Sequence, residues 1–210
     1  MKSFVISISG ISGSGKTTVI NALKERILNT AVISFDDYPG DLLGYDYCEW
    51  SESGANCNDW HLEPIISDVL QLKNQSFDYI MIDYPFGKAY QAMKPYVDFA
   101  VWIDTPLDIS LARRLIRDFL RRSPTRLPIG NAADETLSYL EFYMNRHRAT
   151  YLRHIETIRL SADLVVDGMK SPEVIADEIL THINTRNHYD ALINKNNDLV
   201  HDPVPLKEIE

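Results

Sequence analysis

The sequence predicts an α/β fold, a parallel five-stranded sheet with helices on both faces, and three observations predict it. Five short runs of aliphatic and β-branched residues, Phe4–Ser9, Ala31–Phe35, Tyr79–Asp83, Phe99–Asp104 and Asp163–Asp167, read as buried strands. Stretches of helical periodicity separate them, and a β-α alternation implies parallel pairing. A glycine-rich turn, G-x-x-x-x-G-K-T from Gly10 to Thr17, joins the first strand to the first helix.

That turn sets the function. Gly10, Gly13 and Gly15 are three of only nine glycines in the chain. Lacking a Cβ, they let backbone N–H groups converge beside a helix N-terminus, where phosphate oxygens bind. In this strand-to-helix context the pattern is a Walker A turn, which makes the expected fold that of a P-loop NTPase and a nucleoside triphosphate the expected ligand. Lys16 is expected on the β- and γ-phosphates, Thr17 on Mg²⁺, and Ser12, Ser14 and Thr18 among the nucleotide contacts.

A helix over Lys16–Leu28 leads to the second strand, expected beside the first and closing on Asp36 and Asp37. Asp36 is the candidate general base, able to accept the proton of an attacking hydroxyl. Neighbours on an extended chain point to opposite sides, so Asp37 does not share the role. The long connection over about 36–62 is rich in aromatics, including Tyr38, Tyr45, Tyr47, Trp50 and Trp60, and is assigned to the acceptor. A helix over Pro64–Leu72 follows. The third strand ends on Asp83, which at the carboxyl edge of such a sheet faces the ligand crevice and is the second candidate for Mg²⁺. Tyr84 stands next to it and joins Tyr38, Trp60 and His147 as candidate acceptor contacts.

Asp104-Thr105-Pro106 starts a helix over Leu107–Leu120. Six of the twelve arginines lie between positions 113 and 126. Leu111, Leu115 and Phe119 form an apolar stripe, with Arg113, Arg117 and Arg121 on the face about 200° away. These arginines, continuing into Arg122, are expected to close over the triphosphate as a lid at about 121–134. Arg117 and Arg121 would stabilise the transferred group, while Arg113 and Arg122 would hold the nucleotide. The alternative is a solvated basic face paired locally with acids such as Asp118. A helix over Glu135–Ile158 carries His147, and Ser171-Pro172 starts a last helix to Ile183. Residues 1–185 are read as one P-loop domain and 186–210, rich in Asn and Asp, as a tail.

Composition narrows the partners. A chain of 210 residues, 45% hydrophobic and 24% charged, is sized for one globular domain. Thirty acidic against 21 basic residues give a net charge of −9, which disfavours nucleic acid and anionic membrane as partners. No apolar run approaches the roughly 18 residues of a membrane span, and Met1-Lys2 leads directly into a strand, so a cytoplasmic location is expected. Cys48 and Cys57 lack metal-ligand spacing and read as reduced thiols.

From about Phe4 to Gly168 the sequence resembles the uridine kinase and phosphoribulokinase branch of the P-loop kinases. Ile8-Ser9-Gly10-Ile11-Ser12-Gly13-Ser14-Gly15-Lys16-Thr17-Thr18 is similar to that family's first loop, and Ile33-Ser34-Phe35-Asp36-Asp37-Tyr38 to its second strand. The resemblance implies that Asp36 is the catalytic base. Asp59-Trp60 resembles the entry to the family's next helix, Leu111-Ala112-Arg113-Arg114-Leu115-Ile116-Arg117-Asp118 the helix leading into its lid, and the run from His147 to Val166 its last long helix and closing strand. Asp83-Tyr84 stands where uridine kinases usually have Glu-Gly, and their Asp-His-Pro segment is not found before Asp59. The implied activity is phosphorylation of a hydroxyl on a small metabolite with ATP and Mg²⁺, a nucleoside favoured over sugar-like or pantothenate-like alcohols. A regulatory protein that binds nucleotide without turnover is the competing class. A GTPase switch is disfavoured, because Asp41-Leu42-Leu43-Gly44 follows the wrong strand and no guanine-reading motif occurs.

Overall fold

The computed structural model describes residues 3–120 and 132–200. Its strands are β1 (Phe4–Ser9), β2 (Thr30–Ser34), β3 (Tyr79–Asp83), β4 (Phe99–Asp104) and β5 (Leu164–Asp167), each end within one residue of expectation. All are parallel, in the order β2-β3-β1-β4-β5. The second strand therefore does not lie beside the first, contrary to expectation. β3 takes that place for a physical reason: Ile80, Met81 and Ile82 are fully buried, which requires a neighbour on each side and a layer on each face. β2, with Val32 38% exposed, tolerates the edge.

Alternation along the strands divides the core. Val5, Ile80, Ile82, Ala100 and Trp102 point into one layer, beneath α3 (Glu63–Lys73) and α6 (Arg148–Thr157). Ile6, Ile8, Met81, Val101 and Ile103 point into the other, against α1 (Lys16–Lys24) and α7 (Pro172–Val200). Both faces of the sheet are thus covered.

The helices depart from expectation in extent. α1 stops at Lys24, since the chain tightens to an i→i−3 bond from Arg26 N–H to the Leu23 carbonyl and Asn29 then turns left-handed at φ 55°. The connection over 36–62 contains α2 (Tyr47–Glu52), capped by the Asp46 carboxylate on the N–H groups of Cys48 and Glu49 at 2.8 and 3.2 Å. α4 (Leu107–Leu115) runs into a π-helical turn over Ile116–Leu120. α5 (Ala132–Phe142) joins α6 through a second such turn, Tyr143–His147. α7 continues across position 186 to Val200, where a tail was expected. Residues 121–131, with Arg121, Arg122 and most of the expected lid, lie outside the described residues. Both cysteines are free, and among the described residues no helix is long and apolar enough to cross a membrane.

Candidate active site

The first three strands end side by side, and their ends open into a cleft of about 1030 Å³. Its floor is the turn from Gly10 to Thr17. Gly13 and Gly15 adopt left-handed φ values of +87° and +103°, which let the backbone fold back over the first turn of α1. Ser12, Gly13, Gly15, Lys16, Thr17 and Thr18 line the cleft. Gly10 and Ser14 do not. Ser14 is buried beneath the turn, and its carbonyl accepts bonds from Thr105 Oγ1 at 3.0 Å and Arg113 at 3.4 Å. Thr105, itself buried, braces the turn from beneath, and Arg113 braces it from the cleft side.

Lys16 Nζ lies 3.3 Å from the Gly10 carbonyl. Burial lowers its pKa, and the charges of Asp83 and Asp36 oppose the shift. A half-buried ammonium within the field of two carboxylates can anchor phosphate charge. The Thr17 hydroxyl donates to Asp83 Oδ2 at 2.6 Å, so the two residues chosen for Mg²⁺ do meet. Hard oxygen donors of this kind suit that ion, which keeps most of its coordination sphere for water and phosphate. Among the described residues no three His, Cys, Asp or Glu side chains gather into a closed metal cage.

Asp36 and Asp37 lie on a single 3-10 turn just beyond β2. Asp36 lines the cleft and acts electrostatically on Lys16 and Arg117. Asp37 does not line it. Its charge acts on Tyr38, whose hydroxyl donates to Asp68 Oδ2 at 2.5 Å; burial first, then Asp68, raise the Tyr38 pKa. Tyr38 therefore faces α3 and is removed from the acceptor set. Tyr45 likewise turns away, donating to Asp59 at 2.9 Å. Tyr84 borders the cleft but is fully buried, with its hydroxyl donating to the Gly87 carbonyl, so it supports the wall and offers no free polar group.

The arginines divide by role. Arg113 is exposed, as its helix face predicts, and lines the cleft, where its guanidinium donates to the Gly168 carbonyl at 3.2 Å from both terminal nitrogens and bridges to the Ser14 carbonyl. Arg117 is 59% exposed and pairs with Asp118 at 2.7 Å, a bond that raises its pKa and lowers that of Asp118. Arg114, which the sequence reading passed over, lines the cleft, bonds Asp118 at 3.3 Å and Tyr151 Oη at 2.8 Å, and sits 4.9 Å above the Tyr139 ring. Local pairing through Asp118 thus describes Arg114 and Arg117 as they stand.

The rest of the cleft is aromatic. Trp60 packs edge-on against Phe35 (5.3 Å) and Trp50 (5.6 Å), and His147 stacks on Tyr151 at 5.6 Å and 7°. Burial, then Arg114, lowers the His147 pKa to about 4. His154, 6% exposed and held between Trp50 and Phe86, also lines the cleft and was missed. The signal was in the sequence: His147, Tyr151 and His154 at i, i+4 and i+7 share one helix face.

No protein-family model matches the chain. A uridine kinase from Borrelia duttonii is 29% identical, over 77% of this chain and 85% of its own length. Another from Chlamydia pneumoniae is 26% identical, over 90% and 91%. Among solved structures, a Thermus thermophilus protein superposes with a TM-score of 0.54 at 17% identity, covering 89% of this chain and 98% of that one. A sugar kinase from Janibacter sp. HTCC2649 does so at 0.51 and 14%, covering 87% and 95%. The chain is similar in sequence to uridine kinases over most of its length, and its fold is the α/β fold of the P-loop kinases.

Proposed function

We propose that the protein is an ATP- and Mg²⁺-dependent kinase that phosphorylates a hydroxyl of a small metabolite, a nucleoside by preference. The observation that carries this reading is the one cleft of about 1030 Å³ shared by the phosphate-binding turn, the Thr17–Asp83 pair, the Asp36 carboxylate and a set of aromatic walls. A regulatory nucleotide binder has no need of those walls.

In the mechanism, the backbone of residues 10–17 and the Lys16 ammonium hold the triphosphate, while Thr17 and Asp83 are the residues that would hold Mg²⁺. When bound, the metal would neutralise charge on the phosphate oxygens. The aromatic walls orient the acceptor with its hydroxyl toward Asp36, and the carboxylate takes the hydroxyl proton as the oxygen bonds to the γ-phosphorus and ADP departs. Positioning and charge neutralisation supply most of the acceleration in such a transfer.

Asp36→Asn tests this. Turnover with an accepted nucleoside should fall by about 10²- to 10⁴-fold, the usual size of a general-base contribution, with ATP affinity preserved. Unchanged turnover would remove Asp36 from its role.

A further inference from the structure

The aromatic part of the cleft contains three ring nitrogens with nothing to bond. Trp60 Nε1, His147 Nδ1 and His154 Nε2 are each buried without a hydrogen-bond partner, and all three residues line the cleft. Folded proteins leave few buried polar atoms unsatisfied, because each has lost its water and gained nothing in return. Three together beside an open cleft form a site whose bonding is completed by a ligand. An unfavourable cluster of this kind is where a stability rule gives way to function.

The surroundings specify the ligand's chemistry. Trp50, Trp60, Phe86, His147 and Tyr151 line the cleft together with His154, and walls made of aromatic rings suit a flat ring as the ligand. The indole N–H of Trp60 only donates and thus requires an acceptor, such as a carbonyl or a ring nitrogen, on the ligand's edge; a neutral imidazole nitrogen can serve in either sense. Among the described residues, the arginines that line the cleft already have partners, Arg117 pairing with Asp118 at 2.7 Å. Arg114 is engaged with Asp118 and Tyr151, and Arg113 with the Gly168 and Ser14 carbonyls. Burial keeps both imidazoles uncharged, lowering each pKa to about 4.

We infer that His154, together with Trp60 and His147, reads the hydrogen-bonding edge of an uncharged heteroaromatic base on the acceptor and so determines which nucleoside the kinase takes. The inference rests on the kinase reading above, and its test keeps the two apart. Initial rates with uridine, cytidine, adenosine and guanosine are compared with ribose, which lacks the base, and with orotidine, whose base carries a carboxylate. The wild-type protein should prefer one of the four nucleosides to ribose and to orotidine by at least about a hundredfold in kcat/KM.

His154→Phe keeps a ring against Trp50 and Phe86 but removes both nitrogens, and Trp60→Phe removes the indole donor. Each should raise KM for the preferred nucleoside by about tenfold, or reorder the four, while calorimetric ADP affinity, which reports a folded nucleotide site, stays in place. Unaltered KM and rank order in both variants, with ADP still bound, would overturn the inference and leave the kinase reading standing. So would equal use of orotidine. Should the wild-type protein turn over none of these acceptors, the nucleoside reading fails, and titration of tryptophan fluorescence with the same four nucleosides decides the inference. Saturable quenching that His154→Phe abolishes supports it; absence of quenching overturns it.

Discussion

Placing a methyl group on two glycines of the phosphate-binding turn separates the backbone requirement from the packing requirement. Gly13 and Gly15 both have φ in the left-handed region, where an L-residue costs about 1–2 kcal/mol. A Cβ on Gly15 would meet nothing closer than an Arg113 nitrogen at 3.9 Å, so Gly15→Ala should lose that conformational amount and little else. A Cβ on Gly13 would lie 2.2 Å from the Ser110 carbonyl oxygen, and reaching ordinary contact near 3.4 Å needs about 1.2 Å of backbone movement, the difference between those distances. Overpacking of this size adds about 1–3 kcal/mol, for a total of about 2–5 kcal/mol in Gly13→Ala. Ser110 belongs to the first turn of α4, so the displacement would also pull Arg113 from the carbonyls it bridges. Urea unfolding without nucleotide measures both losses directly. Equal destabilisation of the two variants would refute the claim that the turn is packed against α4.

Two further outcomes follow from the same geometry. Arg113→Lys loses the planar fork that bridges Gly168 and Ser14, and should cost about 0.5–1.5 kcal/mol in urea unfolding, the usual net worth of a hydrogen bond at a solvent-exposed side chain; unchanged stability would show that this bridge does not brace the turn. Burial lowers the His154 pKa from 6.5 to about 4, so the unfolded chain binds the proton more readily and the stability present above pH 6.5 declines as pH falls toward 4. For His154 alone the loss at pH 5 is about 2 kcal/mol relative to pH 8, and the difference in urea stability between those pH values should shrink by that amount in His154→Phe.

The parts legible in the sequence were those governed by local rules. Strands appeared because buried segments such as Tyr79–Asp83 must be continuously apolar, and the phosphate turn appeared because its glycines and Lys16-Thr17 stand at a mechanically required spacing. Asp83 could be paired with Thr17 because both follow from that geometry. What was not legible depended on contacts between distant residues. Nothing in the periodicity says that β3 separates β1 from β2, and spacing alone does not say that Arg113, exposed as its face predicts, reaches two distant backbone carbonyls. Tyr38 and Trp60 looked equivalent as aromatics in one connection, yet Asp68 on α3 draws the first aside while Phe35 and Trp50 keep the second at the cleft. His154 was passed over because a single histidine inside a helix carries no signal until its face is traced.

The strand that lies between β1 and β2 also works as a spacer. Ser34, Asp83 and Ile8 stand in one row across the sheet, and Asp36 and Gly10 each follow that row by two residues on the outer members. Two inter-strand steps of about 4.8 Å put roughly 10 Å of sheet width between the turn that carries Asp36 and the turn that begins at Gly10, with Asp83 at the midpoint. Were β2 hydrogen-bonded directly to β1, that width would be halved, and on the proposed function the phosphoryl group, its metal and the incoming alcohol would compete for one berth.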